Sequence, residues 1–347
     1  MKIVNTSRTI SIDFDSSNFK LVEGRASKKA INISKYFNIE IPPAVYSDGA
    51  ILDKDQLIYL LKKDLAEKKI SRGRVHIVVN SSRIIVREVA FPRVDKEDLD
   101  NLIKYQLGDF IPIEPEDYVV QYLNLGSLIE EGIEKINLLI IGVPKDMVLS
   151  HFDLIRDLDL KPVVMDLKNN AVAKLIRFGD YINESYVRDK NIAFIDLSYE
   201  NTSLSIVKDK SLAVTRIIEG GFNDLVTRLN ERLEISEEEI LELFSKGEVD
   251  LRVNDLIVLE EIRALLQGVA ERVGMVFRYF ATREMSNQIH YIILHGVLAK
   301  INGIEDFFSQ YFNLPCVTLE DIDRLNFHGD LSLYGNAIGG LIRLNEV

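Results

Sequence analysis

Asp13 ends a run in which Ile10, Ile12 and Phe14 alternate with Thr9, Ser11 and Asp13, the period-two pattern of a half-buried strand. Asp15-Ser16-Ser17-Asn18 is a cluster of turn formers, and Phe19–Val22 resumes an apolar strand. A tight turn of this kind gathers backbone N–H groups into a concave nest that suits a phosphate. Asp13, beside the turn, stands where a carboxylate could hold the water shell of a magnesium ion. The pattern returns about half a chain later in Ile192–Val207: an apolar strand ends at Asp196, Ser198–Asn201 form a polar turn, and Thr202–Val207 form a second strand. The first stretch alone reads more readily as a plain surface hairpin. Its repetition favours a paired phosphate site built from Asp13, Asp15, Ser16, Ser17, Asp196, Ser198, Asn201 and Thr202. Gly220 and Gly221, at the end of Arg216–Gly221, fit either close approach of a phosphate or a tight strand-to-helix turn. No nucleophile–base set stands out. His76, His151, His290, His295 and His328 lack metal-ligand spacing and read as structural or solvated residues.

The surroundings of the two hairpins repeat as well. After the first, Ile31–Ile39 is apolar at odd positions. A helix follows from about Asp53, with Asp53 and Gln56 as a capping box and Leu57, Leu60, Leu61 and Leu65 as its buried stripe. After the second come Ser211–Ile218 and a helix from about Asn223. Two β-β-β-α units predict a duplicated α/β core with a cleft between the halves and the two polar turns facing across it. At 347 residues the chain exceeds one typical core. Between the repeats, Ser82–Asp166 reads as an α+β insertion, with helices over Asp95–Phe110 and Pro144–Leu158 and strands at Arg83–Phe91, Tyr118–Leu123 and Ile136–Val143. A helix over Asn170–Phe178 precedes the second repeat. The predicted division is a first lobe of 1–81 with 167–190 and 335–347, an inserted subdomain of 82–166, and a second lobe of 191–334 with a helical excursion near 223–280.

The chain carries 42 basic and 54 acidic residues, a net charge of −12, which argues against binding nucleic acid or anionic lipid through bulk charge. Cys316 is its single cysteine, excluding an intramolecular disulfide. No apolar run is long enough to span a bilayer, and the N-terminal residues lack the h-region of a signal peptide. The expected location is cytoplasmic, reaching the inner face of the membrane only through a partner.

Several stretches carry a family resemblance: SIDFDSSNFKLVEG, LDNLIKYQLGDFIPIEPEDYVVQY, FIDLSYENTSLSIV, TRIIEGGFNDL and VFRYFATREMSNQIHYIILHGVLAKINGIEDFF. Over nearly its whole length the chain resembles the PilM family of type IV pilus assembly proteins, relatives of the division protein FtsA. The resemblance implies an actin-like, ribonuclease H-like duplicated fold with an α+β subdomain inserted in the first lobe. It also implies a scaffold that takes the cytoplasmic N-terminal peptide of the membrane protein PilN between the inserted subdomain and the first lobe's core, not in the cleft between the lobes. Such a scaffold would link the inner-membrane complex to the motor side. In Phe110-Ile111-Pro112-Ile113, Ile111 and Ile113 are the candidate partner contacts, while Phe110 is expected to fill the seam between subdomains. Self-association is a further expectation.

ATP with magnesium is the cofactor this fold implies, and here the sequence departs from the family. Where the family has Asp-x-Gly, this chain has Asp13-Phe14-Asp15 and Asp196-Leu197-Ser198, and the adenine-side glycine run is reduced to Gly296. Asp15 would face a phosphate with like charge, a repulsion of roughly 4 kcal/mol at 4 Å and an effective dielectric near 20. The expectation is therefore a scaffold with a degenerate nucleotide site. One alternative is an active ATPase or small-molecule kinase of the same fold. Another is an FtsA-like membrane-tethered filament protein, which would be expected to end in a basic amphipathic helix; this sequence ends IRLNEV. Calorimetry with Mg-ATP at low salt should detect weak binding or none, and a low-micromolar dissociation constant would contradict the expectation. Any nucleotide that does bind should have its phosphates lined by Asp13, Ser16, Asp196 and Thr202.

Overall fold

A computed structural model describes the chain except residues 1, 5–6, 96–97, 104–114, 131, 247–248, 253–256, 285 and 346–347. In the first half, β1 (Lys2–Val4) precedes an antiparallel meander of β2 (Thr9–Phe14), β3 (Asn18–Ala26) and β4 (Ile31–Glu40). A small hairpin, β5 (Tyr46–Ser47) and β6 (Ala50–Ile51), leads to α1 (Lys54–Glu67). Asp53 caps α1 by accepting from the Gln56 backbone N–H at 2.9 Å. Leu57, Leu61 and Leu65 are buried, while Leu60 is half-buried at the margin of the stripe. The chain returns through β7 (Arg74–Val79), parallel to β2.

Next come β8 (Ile85–Pro92) and α2, described over residues 98–103 and capped by Asp95, which accepts from Asp98 N–H at 2.9 Å. The rest of the helix predicted to end at Phe110 lies outside the described residues, as do Ile111 and Ile113. A long hairpin, β9 (Tyr118–Glu130) and β10 (Ile133–Pro144), pairs with β8 in the order β8-β10-β9. Its strands run beyond the predicted Tyr118–Leu123 and Ile136–Val143 because half-exposed alternating residues extend the ladder past the apolar runs. Leu99 and Ile103 of α2 bury against Phe91, Leu138 and Ile140 of this sheet. Then α3 (Lys145–Asp157) leads into β11 (Lys161–Leu167), parallel to β7, and α4 (Lys168–Phe178) follows directly.

After the small hairpin β12 (Tyr181–Ile182) and β13 (Ser185–Tyr186), the second half repeats the plan. The strands β14 (Ile192–Leu197), β15 (Asn201–Lys208) and β16 (Ser211–Glu219) form the meander. Three helices follow: α5 (Phe222–Leu233), α6 (Glu237–Ser245) and α7 (Ile257–Arg283). Ser236 and Glu239 form a capping box at the start of α6. Then come β17 (Tyr291–His295), α8 (Ile304–Phe312), β18 (Cys316–Thr318), β19 (Leu325–Asn326), α9 (Leu331–Gly340) and β20 (Arg343–Asn345). The sheets are ordered β11-β7-β2-β3-β4-β19 and β16-β15-β14-β17-β18. Numbered within each half, both read third, second, first, fourth, fifth, with the fourth and fifth parallel to the first. This is the duplicated topology of the actin-like fold. At the chain ends β1 pairs with β20.

The strand β2 was expected to be half-buried, yet all six of its residues are buried. Ile10, Ile12 and Phe14 pack with α1 and α3. The polar positions between them face α9 and the other half, where Ser11 Oγ would lie 2.3 Å from a Cβ on Gly340. Covering both faces turns an alternating strand into a central one. The covering is done by α4 and α9, which pack on each other. Although it follows β11, α4 reaches the second sheet, with Asn169 Nδ2 donating to Leu204 O and Ser205 Oγ. Although it ends the second half, α9 reaches the first sheet, with its Gly340 carbonyl accepting from His76 Nδ1–H at 2.8 Å. Where they cross, a Cβ on Gly339 would sit 2.1 Å from the Ala171 carbonyl oxygen, so the backbones touch only because that position is glycine. Gly339→Val should lower the unfolding free energy in urea by about 3 kcal/mol or more; a loss below about 0.5 kcal/mol would contradict this crossing.

Candidate functional site

The two polar turns meet at the junction of α4 and α9. Asp13, Asp15, Ser17, Asp196, Ser198 and Gly296 line one small void together. Asp15, Ser16, Ser198 and Asn201 line a second, together with Lys168. Across the halves, Asn80 Nδ2 at the end of β7 donates to Asn201 Oδ1 and Ser203 Oγ, each at 2.9 Å.

Lys168, the first residue of α4, was not anticipated. It is 4% exposed. Its Nζ donates to Asp15 Oδ2 at 2.7 Å and lies 3.6 Å from Asp13 Oδ1. Asp15, expected to face a phosphate with like charge, is paired here with a cation of this chain. Burial by itself would lower the pKa of the Lys168 ammonium, but the Asp13, Asp15 and Asp196 carboxylates outweigh it and raise it. One cation among these carboxylates leaves Asp13 undercompensated, and burial pushes its carboxyl up to about 6.

Asp196 is held differently. Ser198 Oγ–H donates to its Oδ1 at 2.6 Å, Asn336 Nδ2 of α9 donates to Oδ2 at 2.8 Å, and His295 Nδ1 lies 3.7 Å away. Burial acts to raise the Asp196 carboxyl, but His295, Lys168 and the two hydrogen bonds keep it below its ordinary value. Burial lowers the pKa of His295 itself, so at neutral pH its ring is uncharged and acts as a dipole. His295, read from sequence among the structural or solvated histidines, ends β17 and is buried beside Asp196, whereas His290 precedes that strand.

The remaining predicted contacts are engaged with the chain itself. Thr202 Oγ1–H donates to Gly220 O at 2.6 Å. Gly220 has φ +113, which favours glycine. A Cβ on Gly221 would lie 2.4 Å from Tyr199 O. The first N–H groups of α5 donate to the second turn, Phe222 to Ser198 O at 3.1 Å and Asn223 to Tyr199 O at 2.8 Å. The double glycine therefore admits the neighbouring turn and uses amides that would otherwise meet an anion. Gly296 has φ +95, and a Cβ there would lie 2.5 Å from Leu197 O.

This geometry tests the nucleotide that the fold implies. The two voids are each about 20 Å³, room for about one water, whereas small-molecule sites run to about 300–1,000 Å³. Lys168 and Asp15 fill the space between the turns, so the residues do not fit a magnesium-bound triphosphate in this arrangement. Among the described residues no group of three or more His, Cys, Asp or Glu side chains is arranged to hold a metal ion.

A much larger cavity, about 900 Å³, opens next to the turns. Asp48, Asn80 and Ser82 of the first half, Ile85–Arg87 of β8, and Thr215–Ile217 with Arg228 and Leu265 of the second half contribute to its walls. Its lining mixes apolar side chains, several arginines and several carboxylates. Sequence reasoning did not find this cavity, because its walls come from stretches far apart in the chain, from Asp48 to Arg272.

The duplicated strand order, the crossing helices and the facing turns define an actin-like protein. The chain belongs to the family of type IV pilus assembly protein PilM, whose model matches residues 11–332. Among solved structures, a chain of a PilM-PilN type IV pilus biogenesis complex is similar, with a TM-score of 0.80 and 16% identity over 96% of this chain and 98% of that one. The ethanolamine utilization protein EutJ from Carboxydothermus hydrogenoformans matches with a TM-score of 0.54 and 11% identity over 97% and 90% of the two chains. MreB5 of Spiroplasma citri, solved bound to ADP, matches with a TM-score of 0.51 and 15% identity over 96% and 95%. Among the described residues no helix is long and apolar enough to cross a membrane.

A buried histidine supports the first turn from below. His151 Nδ1–H donates to Met147 O at 2.8 Å, so Nε2 accepts from Tyr46 O–H at 3.0 Å, and its ring packs edge-on against Phe14. Burial lowers its pKa to about 4. The unfolded chain takes up this proton first, so stability is lost as pH falls from about 6.5 toward 4. Asp13 titrates in the opposite sense, its contribution being lost as pH rises through about 6, so the histidine is isolated by comparing variants. His151→Gln should reduce the stability lost between pH 7 and pH 5 by about 2 kcal/mol relative to wild type in urea unfolding; an unchanged loss would contradict the assignment.

Proposed function

We propose that this protein is a scaffold of type IV pilus assembly. In this reading it binds the cytoplasmic N-terminal peptide of a PilN-type membrane protein and works through that contact rather than through nucleotide chemistry. It would sit peripherally at the inner face of the membrane through this partner and join the membrane complex to the motor side. Membership of the PilM family and the fold match to a chain from a PilM-PilN complex support the reading. The observation that carries it is a contrast in space: about 900 Å³ where the β8 sheet meets both halves, against voids of about 20 Å³ at the paired turns; the proposed site thus differs from the expected seam of inserted subdomain and first lobe, because the second half supplies much of its wall. The larger volume suits several residues of an extended peptide. Its apolar walls, including Ile85, Val86, Ile217 and Leu265, would take aliphatic side chains, and its charged walls would orient the peptide. Ile111 and Ile113, which lie outside the described residues, remain proposed contacts of the same peptide.

Gly268 gives a test that leaves the fold intact. It lines the cavity from α7, and a Cβ there meets nothing within 4 Å. Gly268→Trp should fill the cavity without destabilising the helix. In a calorimetric titration with a synthetic PilN-type N-terminal peptide, Gly268→Trp, Ile111→Asp and Ile113→Asp should each weaken binding at least tenfold while circular dichroism stays as in wild type. Undiminished binding by folded Gly268→Trp would remove the cavity from the site, and undiminished binding by both isoleucine variants would remove the loop.

A further inference from the structure

The misfit between the paired turns and a nucleotide has a specific physical source. In a two-lobed fold with facing phosphate turns, a metal-bound phosphate would supply the positive charge that two inward-pointing carboxylates require. Here Asp13 and Asp15 are 2% and 8% exposed and cannot both stay ionised without a cation close by. Lys168 is that cation, 2.7 Å from one carboxylate and 3.6 Å from the other. We propose that the Lys168 ammonium is the resident cation of the Asp13–Asp15–Asp196 cluster, occupying the place of a nucleotide-bound metal, so that the two halves are tied together by the chain's own charge.

Three observations support this beyond the single contact. Lys168 comes from α4, whose next residue, Asn169, is hydrogen-bonded to β15 of the second half. The ammonium therefore connects the first-half turn to an element anchored in the second half. The neighbouring cross-half bonds from Asn80 to Asn201 and Ser203 need the same closed spacing. Asp13 Oδ1 has no hydrogen-bond partner and His295 Nε2 and Asn336 Oδ1 are likewise unpartnered, so at Asp13 Oδ1 the nearby Lys168 ammonium is what offsets the buried charge.

The inference is independent of the peptide reading, and its test uses no peptide. Wild type, Lys168→Ala and the double variant Lys168→Ala/Asp15→Asn would be unfolded thermally in EDTA and in millimolar MgCl2, and in Mg-ATP. Wild type should melt at the same temperature in all three. Lys168→Ala should melt well below wild type in EDTA and recover part of the loss in magnesium, because a vacated cation position beside intact carboxylates accepts a divalent ion. The double variant should melt above Lys168→Ala in EDTA and lose the magnesium response. If Lys168→Ala does not fold, Lys168→Gln, which keeps most of the side-chain volume, replaces it with the same expected order. A wild-type melting temperature raised several degrees by Mg-ATP, or a lysine variant as stable as wild type in EDTA, would overturn the proposal.

Discussion

Two carboxylates at the ends of two central strands must be kept charged inside a seam that water scarcely enters. Much of the arrangement around Asp13 and Asp196 meets this constraint. Asp13 shares Lys168 with Asp15, and Asp196 takes hydrogen bonds from Ser198 and Asn336. Lys168 begins α4 and Asn336 lies within α9, so both helices have to bring polar side chains to the same junction. They do so only by crossing at backbone contact, which the missing side chain of Gly339 allows. A second buried pair, Asp166 with Lys174, whose Nζ also donates to Ile342 O, fixes α4 to the chain's end. Charge in the seam, the helix crossing and the closure of the two halves are thus one arrangement.

The architecture was largely legible because its signals are local. Alternation marked β2 and β4, an apolar run ending in an aspartate marked β14, the Asp53 cap marked a helix start, and the recurrence of strand, aspartate and polar turn pointed to duplication. The site was only partly legible. The turns and both aspartates could be named from type and spacing, but what each faces could not. Starting α4 at Asn170 left Lys168 in a connecting segment, two residues short of its place as a buried ammonium. The dipeptide Gly220-Gly221 suits a phosphate or a neighbouring backbone equally in sequence, and only the approach of Tyr199 O distinguishes them. The burial of Thr9, Ser11 and Asp13 comes from α9, which lies more than 300 residues further along the chain.

The same closure that fills the turn pair shapes the cavity beside it. Asn80 and Asn201, which bond across the halves, both line the 900 Å³ cavity, and so does Asn169, adjacent to Lys168. A partner in the cavity would contact residues whose spacing the buried charges set. That arrangement suits a scaffold, which needs a preformed surface and gains affinity when little has to be ordered on binding. It also accounts for how a turn that carries Asp15 beside Asp13 stays closed, since Lys168 pairs with both carboxylates.

A crystal structure of the wild-type protein grown with millimolar Mg-ATP tests the central claim most directly, because it reads the position of one atom. The account predicts that Lys168 Nζ remains between Asp13 and Asp15 and that the two turns keep their spacing. A magnesium ion or phosphate bound between the turns, with Lys168 displaced from the carboxylates, would contradict it.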